Sequence, residues 1–242
     1  MRFYPRVAAA AAGFLAASAY GTALALLRRD PSEVPVEVAR MVARLMTGPL
    51  GFEVEVENER LLYAHQPCVY LCNHQSMYDV PVLGHLYPDR TIVVGKQELR
   101  WIPFFGWLFR RTGNVWINRA DTESAVHRLR DAERAIRERN VSVWIFPEGT
   151  RGREPGRLLP FKKGAFHMAV NAGVPLVPVV VSPIAPIFDG RRRHIQRGTV
   201  RVRVLDAVST EGVGEDDIEE LIALVRGRMQ ATLTELARET PG

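Results

Sequence analysis

Between Arg6 and Arg28 the chain runs for 21 residues, 7–27, without a charged side chain, and a folded molecule must keep most of such a segment out of water. As a helix rising 1.5 Å per residue it would reach about 31 Å, the thickness of a bilayer's hydrocarbon core. Ten of the 21 residues are Ala, a weaker drive to insert than a Leu-rich span. The expectation is therefore an N-terminal helical anchor, either inserted in a membrane or lying on it. Arginines stand on both sides (Arg2, Arg6, Arg28, Arg29), so charge alone sets no orientation. A cleaved signal peptide is the competing reading, with Ala17-Ser18-Ala19 as a small-x-small site, but the apolar run continues past it through Leu24, Leu26 and Leu27. A second segment, 36–45, places Val38, Met41, Val42 and Leu45 at helical spacing and would pack on the first or lie on lipid.

The remaining residues alternate between two periodicities. Strands are expected at 52–56, 68–72, 91–94, 114–118, 141–146, 174–181 and 199–205, and helices from Ser76, over 121–139 and 161–171, and from Asp216 onward. The last helix aligns Ile218, Leu221, Ile222, Val225, Met229, Leu233 and Leu236 on one face. This alternation predicts an α/β fold, a single mixed β-sheet covered by helices, divided into a membrane-associated segment 1–50 and an α/β unit 51–242. Pro175 and Pro178 argue that their strand is at an edge or bulged. Residues 102–109 are apolar on every side, the signature of a helix that is buried or touches lipid.

Cys68 and Cys72 fall on one strand and point to one face, so no disulfide framework is available and a reducing compartment fits. His65, His85, His127, His167 and His194 are scattered without ligand spacing, which predicts no metal site. The net charge of +5 calls for an anionic partner: a membrane surface, a nucleic acid or a phosphorylated substrate.

Chemistry concentrates after the strand Cys68-Val69-Tyr70-Leu71-Cys72, in Asn73-His74-Gln75-Ser76-Met77-Tyr78-Asp79. On a regular helix His74 and Asp79 would stand about 140° apart, so they can meet only if His74 lies in a loop and Asp79 on the first turns of the helix after it. There the helix N-terminus would disfavour the imidazolium, and the carboxylate would fix the tautomer and steady the cation as it forms. His74 could then lift a proton from a hydroxyl with Asp79 as its orienter. Taken alone, a His-x4-Asp spacing more often marks an ordinary loop histidine.

Two further strand ends carry polar chemistry, Asn118-Arg119 and Pro147-Glu148-Gly149-Thr150-Arg151. In α/β sheets such ends converge on one crevice. There an arginine fork and a glycine that admits backbone N–H groups can grip a phosphate. A lone surface ion pair is the ordinary role for either arginine.

Taken in order, Asn73 to Asp79, Gly113-Asn114-Val115-Trp116-Ile117-Asn118-Arg119, Phe146-Pro147-Glu148-Gly149-Thr150-Arg151 and Val174-Pro175-Leu176-Val177-Pro178-Val179-Val180 resemble the four motifs of the glycerolipid acyltransferases. The bacterial 1-acyl-sn-glycerol-3-phosphate acyltransferases are the nearest likeness, over residues 56–205. The resemblance implies that His74 deprotonates an acceptor hydroxyl for direct attack on an acyl thioester, with Asp79 as orienter. It implies substrate binding at Arg119, Glu148, Gly149, Thr150 and Arg151, with Lys96 as a further cation. The acceptor would be lysophosphatidic acid, and the donor acyl-CoA or acyl carrier protein, with no cofactor and no metal. The place of work would be an anionic membrane surface, the cytoplasmic side of a bacterial inner membrane. Asn118 departs from the family, where Asp is frequent, and removes a charge beside the phosphate clamp.

Three rivals use the same residues differently. Cys72 as an acyl-accepting nucleophile would make a thioesterase or ping-pong transferase; a small residue inside an apolar strand suits burial better. Ser76 lacks a strained nucleophile elbow. A basic membrane- or nucleic-acid-binding protein would use Arg151-Gly152-Arg153, Arg157, Lys162-Lys163 and Arg191-Arg192-Arg193-His194, but no nucleic-acid-reading motif accompanies them, so lipid is the expected partner and nucleic acid is not. Among enzymes, the alternative acceptors are a lyso-ornithine lipid or another lysophospholipid.

Overall fold

A computed structural model describes residues 3–31, 33–118, 120–152 and 154–239. Two helices lead, α1 (Phe3–Leu27) and α2 (Val34–Leu50), followed by β1 (Phe52–Glu57), a single turn α3 (Leu61–Ala64), β2 (Val69–Cys72), the short α4 (Asp79–Leu83) and β3 (Thr91–Lys96). Then come a 3-10 turn (Gln97–Trp101), α5 (Phe105–Arg111), β4 (Val115–Ile117), α6 (Thr122–Arg139) and β5 (Ser142–Ile145). The chain closes with α7 (Gly164–Ala172), β6 (Leu176–Val181), the hairpin β7 (Phe188–Asp189) and β8 (His194–Ile195), β9 (Gly198–Val204) and α8 (Ile218–Glu239).

Seven strands form one mixed sheet in the order β1-β9-β6-β2-β5-β3-β4. β6, β2, β5, β3 and β4 are mutually parallel, and β9 runs antiparallel to β6 with β1 parallel to β9. The period-2 alternation sorts side chains between two cores. Val69, Leu71, Val143, Ile145 and Leu176 face α6, α7 and α8, including the stripe Leu221, Val225, Met229, Leu233 and Leu236. Cys68, Tyr70, Cys72, Trp144, Val177 and Val179 face α1, α2 and α4. A strand buried on both faces this way reads as a continuous apolar run, as β2 and β6 do.

The prolines do not put β6 at an edge: it lies between β9 and β2. Leu176 bridges Val208 while Val179 pairs with Val204, so three steps along β6 face four along the partner. The extra residue is a bulge opposite Pro178, whose carbonyl accepts from Leu205 N at 2.9 Å; the N–H that proline lacks falls where the ladder is already broken. Nor do residues 102–109 make one helix. Phe104 takes φ 64°, Phe105 N donates to Pro103 O at 2.7 Å, and α5 starts only after this turn, because Pro103 cannot continue a helix from the preceding 3-10 turn.

α1 and α2 pack closely through small residues. Ala10, Ala17, Gly21 and Ala25 of α1 recur at helical spacing and are buried, and a Cβ on Gly13 would lie 2.7 Å from Leu45 Cβ. Arg6 is not a free flanking charge: its Nε donates to Pro49 O at 2.6 Å and its Nη2 to Leu50 O, capping carbonyls left open at the end of α2. α1 is long and apolar enough to cross a membrane, and the molecule itself buries only 28% of its most apolar window.

Candidate active site

The crevice forms at the C-terminal end of the parallel strands, where β2 stops. Asn73, fully buried, ends the pairing by substituting its side-chain amide for a peptide: Nδ2 donates to Val181 O at 3.0 Å and Oδ1 accepts from Val181 N at 2.8 Å. This fixes the next residue, His74, at the rim. The imidazole is 9% exposed and stacks on Phe146 with ring centroids 4.2 Å apart.

His74 Nδ1 lies 2.7 Å from Asp79 Oδ2. A carboxylate only accepts, so Nδ1 carries a proton, and in the neutral ring Nε2 is the nitrogen with the free lone pair. Among the described residues Nε2 has no protein partner and remains open to a substrate. The same Oδ2 also accepts Gln75 N at 2.8 Å and Ser76 N at 2.9 Å, while Asp79 Oδ1 is buried and has no partner among the described residues. Four intervening residues are thus the loop size that lets one oxygen gather a ring N–H and two backbone N–H groups. Residues 76–78 form a turn and the helix begins at Asp79 itself, later than the expected start at Ser76. A five-residue helix contributes little dipole, so the carboxylate, and not the helix end, orients the base.

Glu148, at the end of β5, is buried, and both its oxygens are occupied: Oε1 accepts His74 N at 2.7 Å and Oε2 accepts Leu159 N at 2.9 Å. Gly152 N in turn donates to His74 O at 2.8 Å. The backbone of His74 is therefore held on both sides by the segment that follows β5. Burial pushes the Glu148 carboxyl above its ordinary range, opposed by those two backbone donors. The resemblance implies a share for Glu148 in phosphate binding; the contacts it makes here are to the backbone of His74 and Leu159, and they position the base.

The other expected residues are dispersed around this core. Gly149 adopts φ 68°, and a Cβ there would come 2.8 Å from Lys162 Cε, so glycine is required both by the turn and by the lysine lying against it. Thr150 and Arg151 follow on an exposed surface, on the strap tied to His74 through Gly152. Lys96 ends β3, two strands from β2, where it is exposed and paired with Glu98 at 3.0 Å; it is not joined to the His74 cluster. Arg119 lies outside the described residues. Asn118, just before it, accepts Ala120 N on its side chain at 3.1 Å. Phe146 as the base's stacking partner and Lys162 against Gly149 were missed as site residues; Lys162 stands eleven residues after Arg151, with no local pattern to mark it.

Cys72 is fully buried, its thiol pushed well above the ordinary range by desolvation and by the neighbouring carboxylates of Asp79 and Glu148. A thiol so placed is a poor nucleophile. Ser76 Oγ accepts Tyr78 N at 3.1 Å and serves the turn. Among the described residues no three His, Cys, Asp or Glu side chains gather as a metal-holding group.

Residues 53–182 match the family model described as Acyltransferase. The chain is 38% identical over 221 residues to a Haemophilus influenzae protein named 1-acyl-sn-glycerol-3-phosphate acyltransferase, covering 90% of each. It is 38% identical over 212 residues to the Escherichia coli protein of the same name, covering 87% of this chain and 84% of that one. Among solved structures, the 1-acyl-sn-glycerophosphate (LPA) acyltransferase PlsC of Thermotoga maritima superposes with a TM-score of 0.78 at 26% identity, over 97% of this chain and 93% of that one.

Proposed function

The chain belongs to the acyltransferase family, and from that premise we infer that it transfers a fatty acyl group to the sn-2 hydroxyl of 1-acyl-sn-glycerol-3-phosphate, giving phosphatidic acid. The observation that carries the chemistry is the 2.7 Å pairing of His74 Nδ1 with Asp79, which leaves Nε2 free at the rim. Nε2 takes the proton of the acceptor hydroxyl as its oxygen attacks the thioester carbonyl. The tetrahedral intermediate collapses with cleavage of the C–S bond, and the imidazolium returns its proton to the departing sulfur. Asp79 stabilises the cation between these two transfers. Direct transfer of this kind calls for no resident cofactor, and either acyl-CoA or an acyl carrier protein supplies the same thioester.

The acceptor's phosphate falls to Arg151, on the strap tied to the base, together with Arg119, and Lys96 is a more distant cation. Within the membrane-associated segment 1–50, α1 touches the catalytic unit 51–242 at both ends. Phe3 meets Phe188 at 5.6 Å, and Thr22 Oγ1 donates to Phe104 O at 3.3 Å. Double contact of a helix about 37 Å long supports one that lies in a leaflet along the catalytic unit over one that crosses the bilayer. Trp101 (75% exposed), Phe104 (51%) and Trp107 (44%) extend that apolar surface, and such aromatics favour the lipid interface. The cytoplasmic face of the inner membrane is the side we infer for the active site, since there a thioester donor from the cytosol would reach it.

Acyl transfer to a panel of lyso-lipids, run on the native protein, His74→Ala and Arg151→Ala, tests both parts. Turnover with lysophosphatidic acid that is lost in both variants is the expected result. Turnover confined to phosphate-free acceptors would retain the base and overturn the acceptor.

A further inference from the structure

The hairpin of β7 and β8 touches α1 through the contact of Phe188 with Phe3 but has no part in the acyl-transfer chemistry. It projects from the connection between β6 and β9, beyond the sheet end at which His74 sits, because β6 runs parallel to β2 and delivers the chain there. Residues 190–194 at its tip are all exposed. Asp189 Oδ1 accepts the backbone N–H groups of Arg191 at 2.8 Å and Arg192 at 3.1 Å, which curls the tip and turns three consecutive arginines outward around a single carboxylate. Only Arg192 leans back toward it, at 3.6 Å with its side chain 86% exposed. The Arg193 guanidinium stands 5.6 Å over the ring of Tyr4, itself 61% exposed at the start of α1. The base of the hairpin reaches the catalytic loop: Phe188 lies 4.2 Å from Tyr78, the residue before Asp79.

We propose that this hairpin is the enzyme's electrostatic foot on the membrane, with Arg191, Arg192 and Arg193 engaging anionic phospholipid headgroups beside the N-terminal end of α1. It deepens the acyl-transfer function inferred above and rests on it. Charge complementarity and continuity with the apolar helix select the occupant: arginines clustered next to an interfacial tyrosine and a lipid-seeking helix match a polyanionic headgroup layer. An acidic carrier protein would satisfy the arginines but not the adjoining apolar surface. Docking here sets the crevice at headgroup depth, since Phe188 at the base of the hairpin packs on Tyr78 in the loop that leads to Asp79.

The test replaces Arg191, Arg192 and Arg193 together by Ser in the full chain. Sedimentation with vesicles of phosphatidylcholine containing phosphatidylglycerol should weaken by about fivefold per arginine, about 100-fold in all, and the native protein's advantage should fade at high salt. Binding to pure phosphatidylcholine vesicles, and turnover of a short-chain, vesicle-free lysophosphatidic acid with acyl-CoA, should not change. The matching triple Lys variant should restore vesicle binding, which a merely structural role for the arginines would not allow. Unaltered binding of the Ser variant to anionic vesicles overturns the proposal. So does a loss confined to acyl carrier protein as donor, which would assign the hairpin to that partner. Native protein that binds vesicles through these arginines yet does not acylate lysophosphatidic acid would refute the acyl-transfer function and leave the docking site standing.

Discussion

Asp79→Asn separates two jobs that one carboxylate performs in this site. Asp79 Oδ2 holds His74 Nδ1, Gln75 N and Ser76 N, whereas Oδ1 is buried with no partner among the described residues. An asparagine has only one orientation that avoids setting its NH2 against those donors: oxygen in the place of Oδ2, nitrogen in the place of Oδ1. The loop and the Nδ1–H tautomer should therefore survive, and only the negative charge is removed from beside the imidazolium. At about 4 Å separation and an effective dielectric near 20, that attraction is about 4 kcal/mol at most, so kcat should fall by about 10²–10³-fold with little change in Tm. Asp79→Ala leaves three donors without an acceptor at about 1–3 kcal/mol for each that stays buried, and should lower both kcat and Tm. Steady-state acyl transfer and calorimetry on both variants provide the check. An Asn variant within about threefold of native kcat would refute the electrostatic role of Asp79, and equal Tm losses in the two variants would refute its role as the loop's bracket.

Two further outcomes follow from neighbouring residues. Cys72→Ser should keep most of the activity, since the buried thiol takes no part in direct attack; a loss matching that of His74→Ala in the same transfer assay would instead require an acyl-enzyme. Glu148→Gln should lower kcat while leaving the acceptor KM nearly unchanged, because the carboxylate holds the backbone of His74 and not the phosphate; a raised KM at constant kcat would return it to phosphate binding. Burial raises the Glu148 carboxyl. An acid raised in the folded state lends stability below its unfolded value and loses it as pH climbs through the folded one. The Tm advantage of native protein over the Gln variant should accordingly shrink as pH rises from about 4 toward neutrality; an advantage that grows with pH would reverse that sign.

Short-range signals were legible in the chain before any folding. The apolar run of β2 ends at Asn73, the stripe from Ile218 to Leu236 declares a helix with one buried face, and the spacing from His74 to Asp79 suits a loop closing on a carboxylate. Each depends on residues within a turn or two of one another, where backbone geometry fixes the periodicity. What lay out of reach was set by partners distant in sequence. Pro178 allowed either an edge or a bulge, and the choice lay with the segment from Val204 to Val208, which bulges opposite it from far along the chain. The hold of Glu148 on the base was out of reach because the amides that occupy it belong to His74 and Leu159, and Arg6 suggested a flanking charge because the carbonyls it caps end α2. A side chain's chemistry is written in its identity, but which polar group satisfies it in a buried site is decided only when the sheet brings the strand ends together.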